Sequence, residues 1–410
     1  MTRILVLNGT LVTMESREKV IREGYVYIED DTIVGLGKVD ELPEEYRAAD
    51  LVLDAFGKVV IPGFVSAHTH LSLCPIGFKL DGYRLDEWVE CVAWPYEKAL
   101  TGEIARASSL IALSELVLNG VVCVADMHFH MDHVAKVVEK MGIYANLSIP
   151  IMRGGPYDDE KEALKDALKL YERWHGACDG RITVSLAPCS IRLVSKEVLE
   201  EVASIAGERG LIVHMHLSEV KEDVEYSKKT YGVRPVEFLA ELGLVHDRSL
   251  FAHGVWLSMR EVKLLARGGA SVAHCPSVNA LLFDGVAPVP ELLRDKVNVC
   301  LGVDCSPRLN IVHEAFISDT VLRVVYGPPR RLTSFDYLKF MTVNGARALK
   351  LDYRIGVLKE GMKATLVILD LKPAPTLTPD EIYDMILLSE PRAETVIIDG
   401  DVIVDGGELL

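Results

Sequence analysis

The sequence predicts an α/β protein whose main part is a (β/α)8 TIM-type barrel and whose smaller part is a β-sandwich domain formed from both chain ends. Both ends of the chain show the alternation of apolar and polar residues that is typical of strands. The middle repeats a short apolar run followed by an amphipathic stretch. Histidine or aspartate closes most of these apolar runs, which indicates a common site at one end of the strands.

The strand pattern at the N-terminal end covers RILVLNGTLVTM and GYVYIEDDTIVGLG, in which Asn-Gly and Asp-Asp are turn signals. The same pattern returns near the C-terminal end in ATLVILDLK and ETVIIDGDVIVDGG. Because these strands flank a middle of a different kind, we expect both ends to form one small β domain. The predicted division is residues 1–57 with 356–410 for the β-sandwich domain and residues 58–355 for the barrel.

The middle contains eight apolar runs that we predict to be the barrel strands, namely KVVIPGFVSAH, GVVCVADM, IYANLSIPI, RITVSLAPC, LIVHMHL, SLFAHGV, ASVAHCP and VNVCLGVD. Between most of them lie amphipathic stretches such as EKEALKDALKLYERW and SKEVLEEVASIAGERG, whose apolar residues recur at helical spacing. Apolar strands that alternate with helices indicate a parallel sheet buried on both faces. Eight such units predict a closed barrel.

Composition and charge narrow the class of partner. Of the 410 residues, 49% are apolar and 25% charged, as in an ordinary globular protein. The net charge of -16 argues against a nucleic-acid partner, since phosphate binding depends on clustered lysine and arginine. The stretch MTRILVLNGT is too short an apolar run for a signal peptide, and no stretch reaches the length of a membrane-spanning helix. We therefore expect a cytoplasmic protein without a membrane partner.

Eight cysteines are scattered through apolar segments without any CxxC pair. We expect reduced thiols that pack as small apolar side chains. Disulfides are the alternative, which the sequence leaves open.

Polar side chains stand where the barrel strands are predicted to end. In a parallel barrel the carboxyl ends of the strands meet at one face, which carries the functional site. The residues at these ends are His68, His70, Asp126, Cys189, His216 with Glu219 after it, His253, His274 and Asp304. Packing alone does not account for histidine or aspartate at so many strand ends.

Four of these side chains suit a metal ion. Residues at i and i+2 of a strand face the same way, so His68 and His70 can bind one ion together, although such a pair also occurs by chance. His216 and Asp304 at the same rim strengthen the prediction. Imidazole and carboxylate are ligands that zinc accepts, and a catalytic site leaves room for a water whose pKa the ion lowers.

Two further residues are candidates for proton transfer. Glu219 lies three residues beyond His216, so it can reach over the ion without binding it and act as general acid and base. His253 can hydrogen-bond the water or the carboxylate of Asp304. The alternatives are a solvated loop glutamate and a hydrogen-bonded core histidine.

Other histidines fit the site less well. His128, His130 and His133 in MHFHMDH follow the end of the second strand, so we expect pocket lining or solvent exposure there. For His274 we expect a hydrogen-bonding or substrate-contact role. His214 should lie one layer deeper in the barrel than His216. No lysine ends the fourth strand, RITVSLAPCS, so a carboxylated lysine that bridges two metals is not available and one ion is the simpler site.

At this point the chain resembles the amidohydrolase superfamily, and within it the aminohydrolase branch of S-adenosylhomocysteine/methylthioadenosine deaminases and triazine hydrolases. The resemblance runs nearly end to end, through PGFVSAHTH, HLSE, AHG, AHCPSVNALLFDGVAPVP, LGVDC, TVNGARAL and GVLKEGMKATLVILD. It implies a metal-bearing barrel with a β-sandwich from both termini. It also implies that Glu219 shuttles protons, that His253 orients water, and that Asp304 belongs to both the metal site and the catalytic machinery.

The resemblance also points to residues that bind substrate. Trp88 and Glu97, in DEWVECVAWPYEKAL, correspond to residues that pack against a nucleoside and bind its ribose hydroxyls. Cys189 stands where adenosine-type enzymes carry a histidine that contacts the purine. Arginines for a homocysteine carboxylate have no clear counterpart, and Arg153 and Arg192 are only nearby candidates.

Two more positions complete this comparison of the pocket. His130 is a further candidate for the substrate pocket. Trp256 replaces a common histidine, and the region after Asp304 is shorter than in close relatives. Catalysis is therefore expected to be intact in a pocket that differs.

The resemblance implies a metal-dependent deaminase that releases ammonia from a heteroaromatic amine, and the adenine ring of an adenosine derivative is the substrate we expect. We expect one zinc ion, with iron or nickel as alternatives, and a homo-oligomer (dimer or tetramer), as is general for such enzymes. The alternatives are the same chemistry on guanine, a pyrimidine or a substituted triazine, and a barrel scaffold without enzymatic activity.

Overall fold

The computed structural model describes residues 2–328, 332–373 and 376–410. Its strands are β1 (Arg3–Val12), β2 (Val20–Glu29), β3 (Thr32–Lys38), β4 (Leu51–Asp54), β5 (Val59–Pro62), β6 (Phe64–Thr69), β7 (Val121–Met127), β8 (Tyr144–Ser148), β9 (Pro150–Ile151), β10 (Ile182–Val184), β11 (Ala187–Pro188), β12 (Val213–Leu217), β13 (Ser249–His253), β14 (Ser271–His274), β15 (Asn298–Leu301), β16 (Leu366–Leu369), β17 (Ala393–Ile398), β18 (Asp401–Asp405) and β19 (Glu408–Leu409).

Its α-helices are α1 (Leu85–Trp88), α2 (Trp94–Ala99), α3 (Gly102–Leu118), α4 (Met131–Met141), α5 (Glu160–Trp174), α6 (Ala177–Gly180), α7 (Lys196–Arg209), α8 (Lys221–Tyr231), α9 (Pro235–Glu241), α10 (Met259–Gly268), α11 (Pro276–Leu281), α12 (Val289–Arg294), α13 (Ile311–Tyr326), α14 (Ser334–Phe340), α15 (Val343–Ala348) and α16 (Pro379–Ser389). No helix in the described residues is both long and apolar enough to cross a membrane.

Local signals set the bounds of the two helices that the sequence predicts most directly. The side chain of Asp159 accepts a hydrogen bond from the backbone N–H of Lys161 and so caps the start of α5. Ser195 caps α7 in the same way through Val198, and Gly210 ends that helix with a left-handed φ of 65°. Both predicted amphipathic stretches are therefore confirmed as helices.

Each of the eight predicted apolar runs contains a buried parallel strand. One four-stranded sheet has the order β10-β8-β7-β6 and another the order β12-β13-β14-β15, and β9 pairs with β11. All pairs within these sheets are parallel. Parallel bridges join Leu186 to Val213 and Thr69 to Asp304. The two four-stranded sheets therefore approach each other along two lines, which we call the two seams. The hydrogen-bonded ladders of the described residues do not form one continuous cylinder.

Strands from both chain ends form one mixed, nine-stranded sheet of order β19-β18-β17-β16-β5-β1-β2-β3, with β4 beside β1. The two chain ends thus associate as predicted. Their strands form one sheet, and one sheet does not by itself define the two layers of a sandwich. Strand β5 belongs to this sheet, because it pairs with β1 and β16, although the sequence places it in the first barrel run.

The chain passes from β5 to β6 at Gly63. A Cβ at this position would lie 2.4 Å from a methyl carbon of Val122, so only glycine allows this close approach. The first predicted barrel run is therefore two strands in two different sheets.

The segment between β6 and α3 covers the carboxyl ends of the parallel strands. It consists of the 310-helical stretch Leu71–Lys79, α1, the π-helical stretch Val89–Ala93 and α2. Leu73 and Trp88 of this segment pack with Val278 and Leu282 in one buried apolar cluster. This cluster fixes the segment above the strand ends.

Candidate active site

The four predicted metal ligands lie together at the carboxyl ends of the parallel strands. The Nε2 atom of His70 lies 3.3 Å from Nε2 of His216 and 3.3 Å from Oδ1 of Asp304. The Nε2 atom of His68 lies 3.7 Å from the same Asp304 oxygen. The carboxyl ends of β6 and β12 and the loop after β15 thus bring together side chains from distant parts of the sequence.

The hydrogen bonds of the histidines leave their inner nitrogens free to bind a cation. Nδ1 of His70 donates to the Met127 carbonyl at 2.6 Å, and Nδ1 of His216 donates to the Cys189 carbonyl at 2.9 Å. Both Nε2 atoms are therefore acceptors that face each other. Nε2 of His68 is buried and has no hydrogen-bond partner in the described part of the chain. Such a donor set fits a metal ion.

Burial keeps these imidazoles neutral, as metal binding requires. Burial and, to a smaller extent, the neighbouring histidines lower the pKa of His70 and of His216 to about 3. The pKa of His68 lies well below the ordinary value for the same reasons.

Two groups of side chains could hold an ion. One consists of His68, His70 and His216, and the other of His68, His253 and Asp304. The four predicted ligands include all three residues of the first group, and they share His68 and Asp304 with the second group. His253 is therefore also within reach of a metal position.

His253 stands between the two carboxylates of the site. Its Nε2 lies 3.5 Å from Oε1 of Glu219 and 3.7 Å from Oδ2 of Asp304, while its Nδ1 lies 2.8 Å from Oδ1 of Asn279. His253 has a φ of 70°, Asp304 of 56° and Ser218 of 46°. This left-handed conformation is uncommon outside glycine, and strain of this kind clusters at functional sites.

Glu219 is buried beside the predicted ligands rather than solvated in a loop. Burial raises its pKa well above the ordinary value, and the charges of Asp304 and Asp223 raise it further. Its backbone N–H donates to Oδ2 of Asp223 at 3.0 Å, and Oδ1 of Asp223 accepts from Arg192 at 2.7 Å. The loop that carries Glu219 is therefore held by the first turn of α8.

A cavity of about 330 Å³ opens above these residues. Of the predicted substrate contacts, Trp88, Glu97 and Cys189 line it. Trp88 and Glu97 come from the covering segment, and both are buried. Burial raises the pKa of the Cys189 thiol, so it is protonated and uncharged at neutral pH.

His130 and Arg153, which the sequence also places in the pocket, do not line the cavity. Backbone φ at His130 is 57°, and its ring donates from Nε2 to the Leu100 carbonyl at 2.9 Å. Arg153 pairs with Glu160 at 3.2 Å, and its side chain is 65% exposed. The left-handed turn at His130 directs its ring away from the strand ends.

For three other histidines the sequence left two possibilities open, pocket lining or solvent exposure for His128 and His133, and hydrogen bonding or substrate contact for His274. His128 lines the cavity, and its Nε2 lies 3.3 Å from Oε1 of Glu97. The only sequence signal for it is its place directly after β7. His133 instead faces Glu103, at 3.9 Å, with a partly exposed side chain. His274 is buried, which lowers its pKa to about 3.

The fold and the site define a metal-dependent hydrolase. The family model described as "Amidohydrolase family" matches residues 59–403, and the chain belongs to this family. Family membership implies a TIM-type barrel for the parallel strands, in agreement with the sequence prediction.

Relatives with assigned activities match nearly the whole chain. The chain is 35% identical to a 5-methylthioadenosine/S-adenosylhomocysteine deaminase of Moorella thermoacetica, over 100% of this chain and 96% of that one. It is also 35% identical to a 5'-deoxyadenosine deaminase of Methanothermobacter thermautotrophicus, over 95% and 91% of the two chains. Among solved structures, an adenosine deaminase from Xanthomonas campestris with bound zinc aligns with a TM-score of 0.91 and 26% identity, over 100% and 94%.

Proposed function

We propose that this amidohydrolase is a metal-dependent deaminase of the adenine ring in an adenosine derivative. The substrate would be of the 5'-deoxyadenosine, methylthioadenosine or adenosylhomocysteine type, and the products the deaminated nucleoside and ammonia. The observation that carries the proposal is the placement of a buried Glu219 beside His253 and Asp304 on the floor of a cavity. Two relatives that are named as deaminases of adenosine derivatives align with nearly the whole chain and support this choice.

His68, His70, His216 and Asp304 would hold one divalent ion. Zinc is the ion we expect, and iron or nickel would suit the same ligands. When bound, such an ion lowers the pKa of a water molecule and so supplies a nucleophile near neutral pH.

Glu219 would move the protons of the reaction. A carboxyl group whose pKa is raised holds its proton more strongly than an ordinary carboxyl group and can donate it to the ring nitrogen next to the amine-bearing carbon. Protonation makes that carbon more electrophilic. Glu219 would then take a proton from the attacking water and pass one to the leaving amine. His253, 3.5 Å from Glu219, would orient the water.

Trp88, Glu97 and Cys189 would bind the rest of the substrate. Oε2 of Glu97 is buried and has no hydrogen-bond partner in the described residues, so it can accept hydrogen bonds from ribose hydroxyls. Trp88 would pack against the nucleoside, as aromatic rings do with bases. Cys189 would face the purine as an uncharged thiol.

The proposal includes the predicted architecture. Residues 58–355 would form the catalytic barrel, closed at the two seams, apart from strand β5, which pairs with β1 and β16. Residues 1–57 with 356–410 would form the β-sandwich domain, to which β5 adds a strand. The homo-oligomer and the cytoplasmic location stay predictions.

An ammonia-release screen tests the proposal. Adenosine, 5'-deoxyadenosine, methylthioadenosine and adenosylhomocysteine would be compared with guanine, cytosine and aminotriazines. Release from the adenosine derivatives alone is the expected result. Preferential release from another ring would favour the alternative with the same chemistry, and full metal content without release from any compound would favour a scaffold.

A further inference from the structure

Acidic side chains predominate among the charged residues that line the cavity. Among its described lining residues, six have carboxyl side chains and only Arg192 has a guanidinium. The carboxyl groups are those of Asp86, Glu90, Glu97, Glu219, Asp223 and Asp304. A ligand that carries negative charge would therefore depend on Arg192 for compensation.

Arg192 already has two carboxylate partners. Its Nη1 and Nη2 atoms donate to the two oxygens of Asp86 at 2.9 and 2.8 Å, and its Nε donates to Asp223 at 2.7 Å. The paired contact with Asp86 is the bidentate geometry in which a guanidinium binds a carboxylate most strongly. Asp86 therefore occupies the face of Arg192 that a ligand carboxylate would use.

This ion-pair group lies at the mouth of the cavity. The side chain of Asp86 is 52% exposed although it lines the cavity, and Glu90 of the same segment is exposed as well. Of the candidate metal ligands, in contrast, His68 and Asp304 are buried at the floor, and His70 and His216 are partly buried. If adenine lies on the floor beside Glu219, the 5' substituent of the ribose points toward the mouth.

We propose that the Asp86–Arg192–Asp223 group selects the 5' substituent: adenosine derivatives with an uncharged or cationic substituent are accepted, and those with an anionic one are rejected. This inference depends on the proposed deaminase function and narrows its substrate class. It places 5'-deoxyadenosine and methylthioadenosine, whose 5' substituents are uncharged, in the accepted class.

Matched substrates test the charge of the substituent without changing its size. Adenosine-5'-carboxamide and adenosine-5'-carboxylate differ in charge and hardly in shape, and 5'-amino-5'-deoxyadenosine supplies a cation. We expect kcat/KM for the carboxylate to be at least about tenfold lower than for the carboxamide, because repulsion between its charge and the acidic side chains weakens binding. The amine should react about as well as the carboxamide. Equal values for carboxylate and carboxamide would overturn the inference.

Two variants distinguish the effect of freeing Arg192 from its ion pair with Asp86 from the effect of removing one negative charge. Asp86→Asn frees the two Nη atoms, so the ratio of kcat/KM for the carboxylate to kcat/KM for the carboxamide should rise about tenfold. Glu90→Gln removes the same charge from the same segment without freeing Arg192 and should give a clearly smaller gain. Equal gains in the two variants, or an equal effect of Asp86→Asn on both substrates, would overturn the role of Arg192. Loss of ammonia release from all adenosine derivatives in the wild type would instead show that the proposed function itself is wrong.

Discussion

The Nδ1 atom of His68 lies 2.9 Å from Nε2 of His214, and both rings are fully buried. Burial lowers the pKa of both imidazoles well below the ordinary value, so both are neutral and one donates to the other. A metal at Nε2 of His68 requires that nitrogen to be unprotonated. His68 must then donate from Nδ1, and His214 must accept. With a metal bound, His214 would therefore be the acceptor for the Nδ1 proton of His68.

Removal of this acceptor should weaken metal binding. We expect His214→Leu to lower metal affinity about 10- to 100-fold, the usual effect of losing a group that orients a ligand histidine. His214→Gln places an amide oxygen near the position of Nε2 and should restore most of the affinity. Competition with a chelator measures both, and thermal unfolding of the metal-free proteins controls for packing. Equal affinity of the leucine variant and the wild type would contradict the role of His214.

Glu219→Gln should keep the metal and lose turnover. The amide has the same shape but cannot carry a proton to the ring or to the leaving amine, so ammonia release should fall by about 100- to 10,000-fold. Elemental analysis should still find one ion per chain. Glu222→Gln makes the same change at an exposed position of α8 and should leave turnover near the wild-type value. Ammonia release by the Glu219 variant at the wild-type rate would remove Glu219 from the proposed role.

Metal removal should abolish activity reversibly, and two histidine variants should distinguish the possible ligand groups. His216→Asn should lose most of the bound metal, whereas His253→Asn should keep it and release ammonia slowly. Metal content and turnover of both variants, before and after reconstitution, are the measurements. The reverse result, with metal lost only from the His253 variant, would favour the group of His68, His253 and Asp304.

Glu97→Ala should affect substrates according to their ribose hydroxyls. We expect kcat/KM for adenosine to fall by about 10-fold or more, because the hydroxyls lose a charged hydrogen-bond acceptor. The same variant should change kcat/KM for 2',3'-dideoxyadenosine little, since that nucleoside lacks the 2'- and 3'-hydroxyls that Glu97 would bind. An equal loss on both nucleosides would mean that Glu97 acts through packing or through His128 instead.

Glu314 should make the fold less stable in alkali. It is buried, its Oε2 accepts from the Ser277 backbone at 3.0 Å, and burial raises its pKa to about 8 from an ordinary value of 4.5. The folded state therefore binds a proton that the unfolded state releases between these two pH values. Its contribution to stability is fully present below about pH 4.5 and is lost as the pH rises through about 8.

Glu314→Gln removes this titration. Thermal unfolding of the variant and the wild type between pH 5 and 9 should show midpoints that differ progressively in favour of the variant as the pH rises. Because all other titratable groups are shared, the difference between the two proteins isolates Glu314. Parallel pH profiles would show that the carboxyl group does not titrate in this range.

Much of the candidate site could be predicted from local pattern. The four predicted ligands end or follow three apolar runs, of which His68 and His70 share the first, so alternation and strand length suffice to place them at a common edge. The spacing from His216 to Glu219 lies within one strand and its loop, and it is short enough to be read from the chain. The strand-end residues His68 and Asp304, which lie in the first and last runs, meet because the parallel order brings those runs together.

What the sequence by itself determined are features that depend on neighbours in the chain: the strand runs, the helix starts at Asp159 and Ser195, and the polar strand ends. Only the tertiary structure decided which distant side chains pair. Arg192 and Asp86 are 106 residues apart, and His68 and His214 are 146 residues apart. The left-handed backbone at His130, a residue that does not line the cavity, likewise could not be predicted from the local sequence pattern. Hydrogen bonds and ion pairs need atoms within about 3 Å, and hydrophobic periodicity places whole faces rather than single atoms.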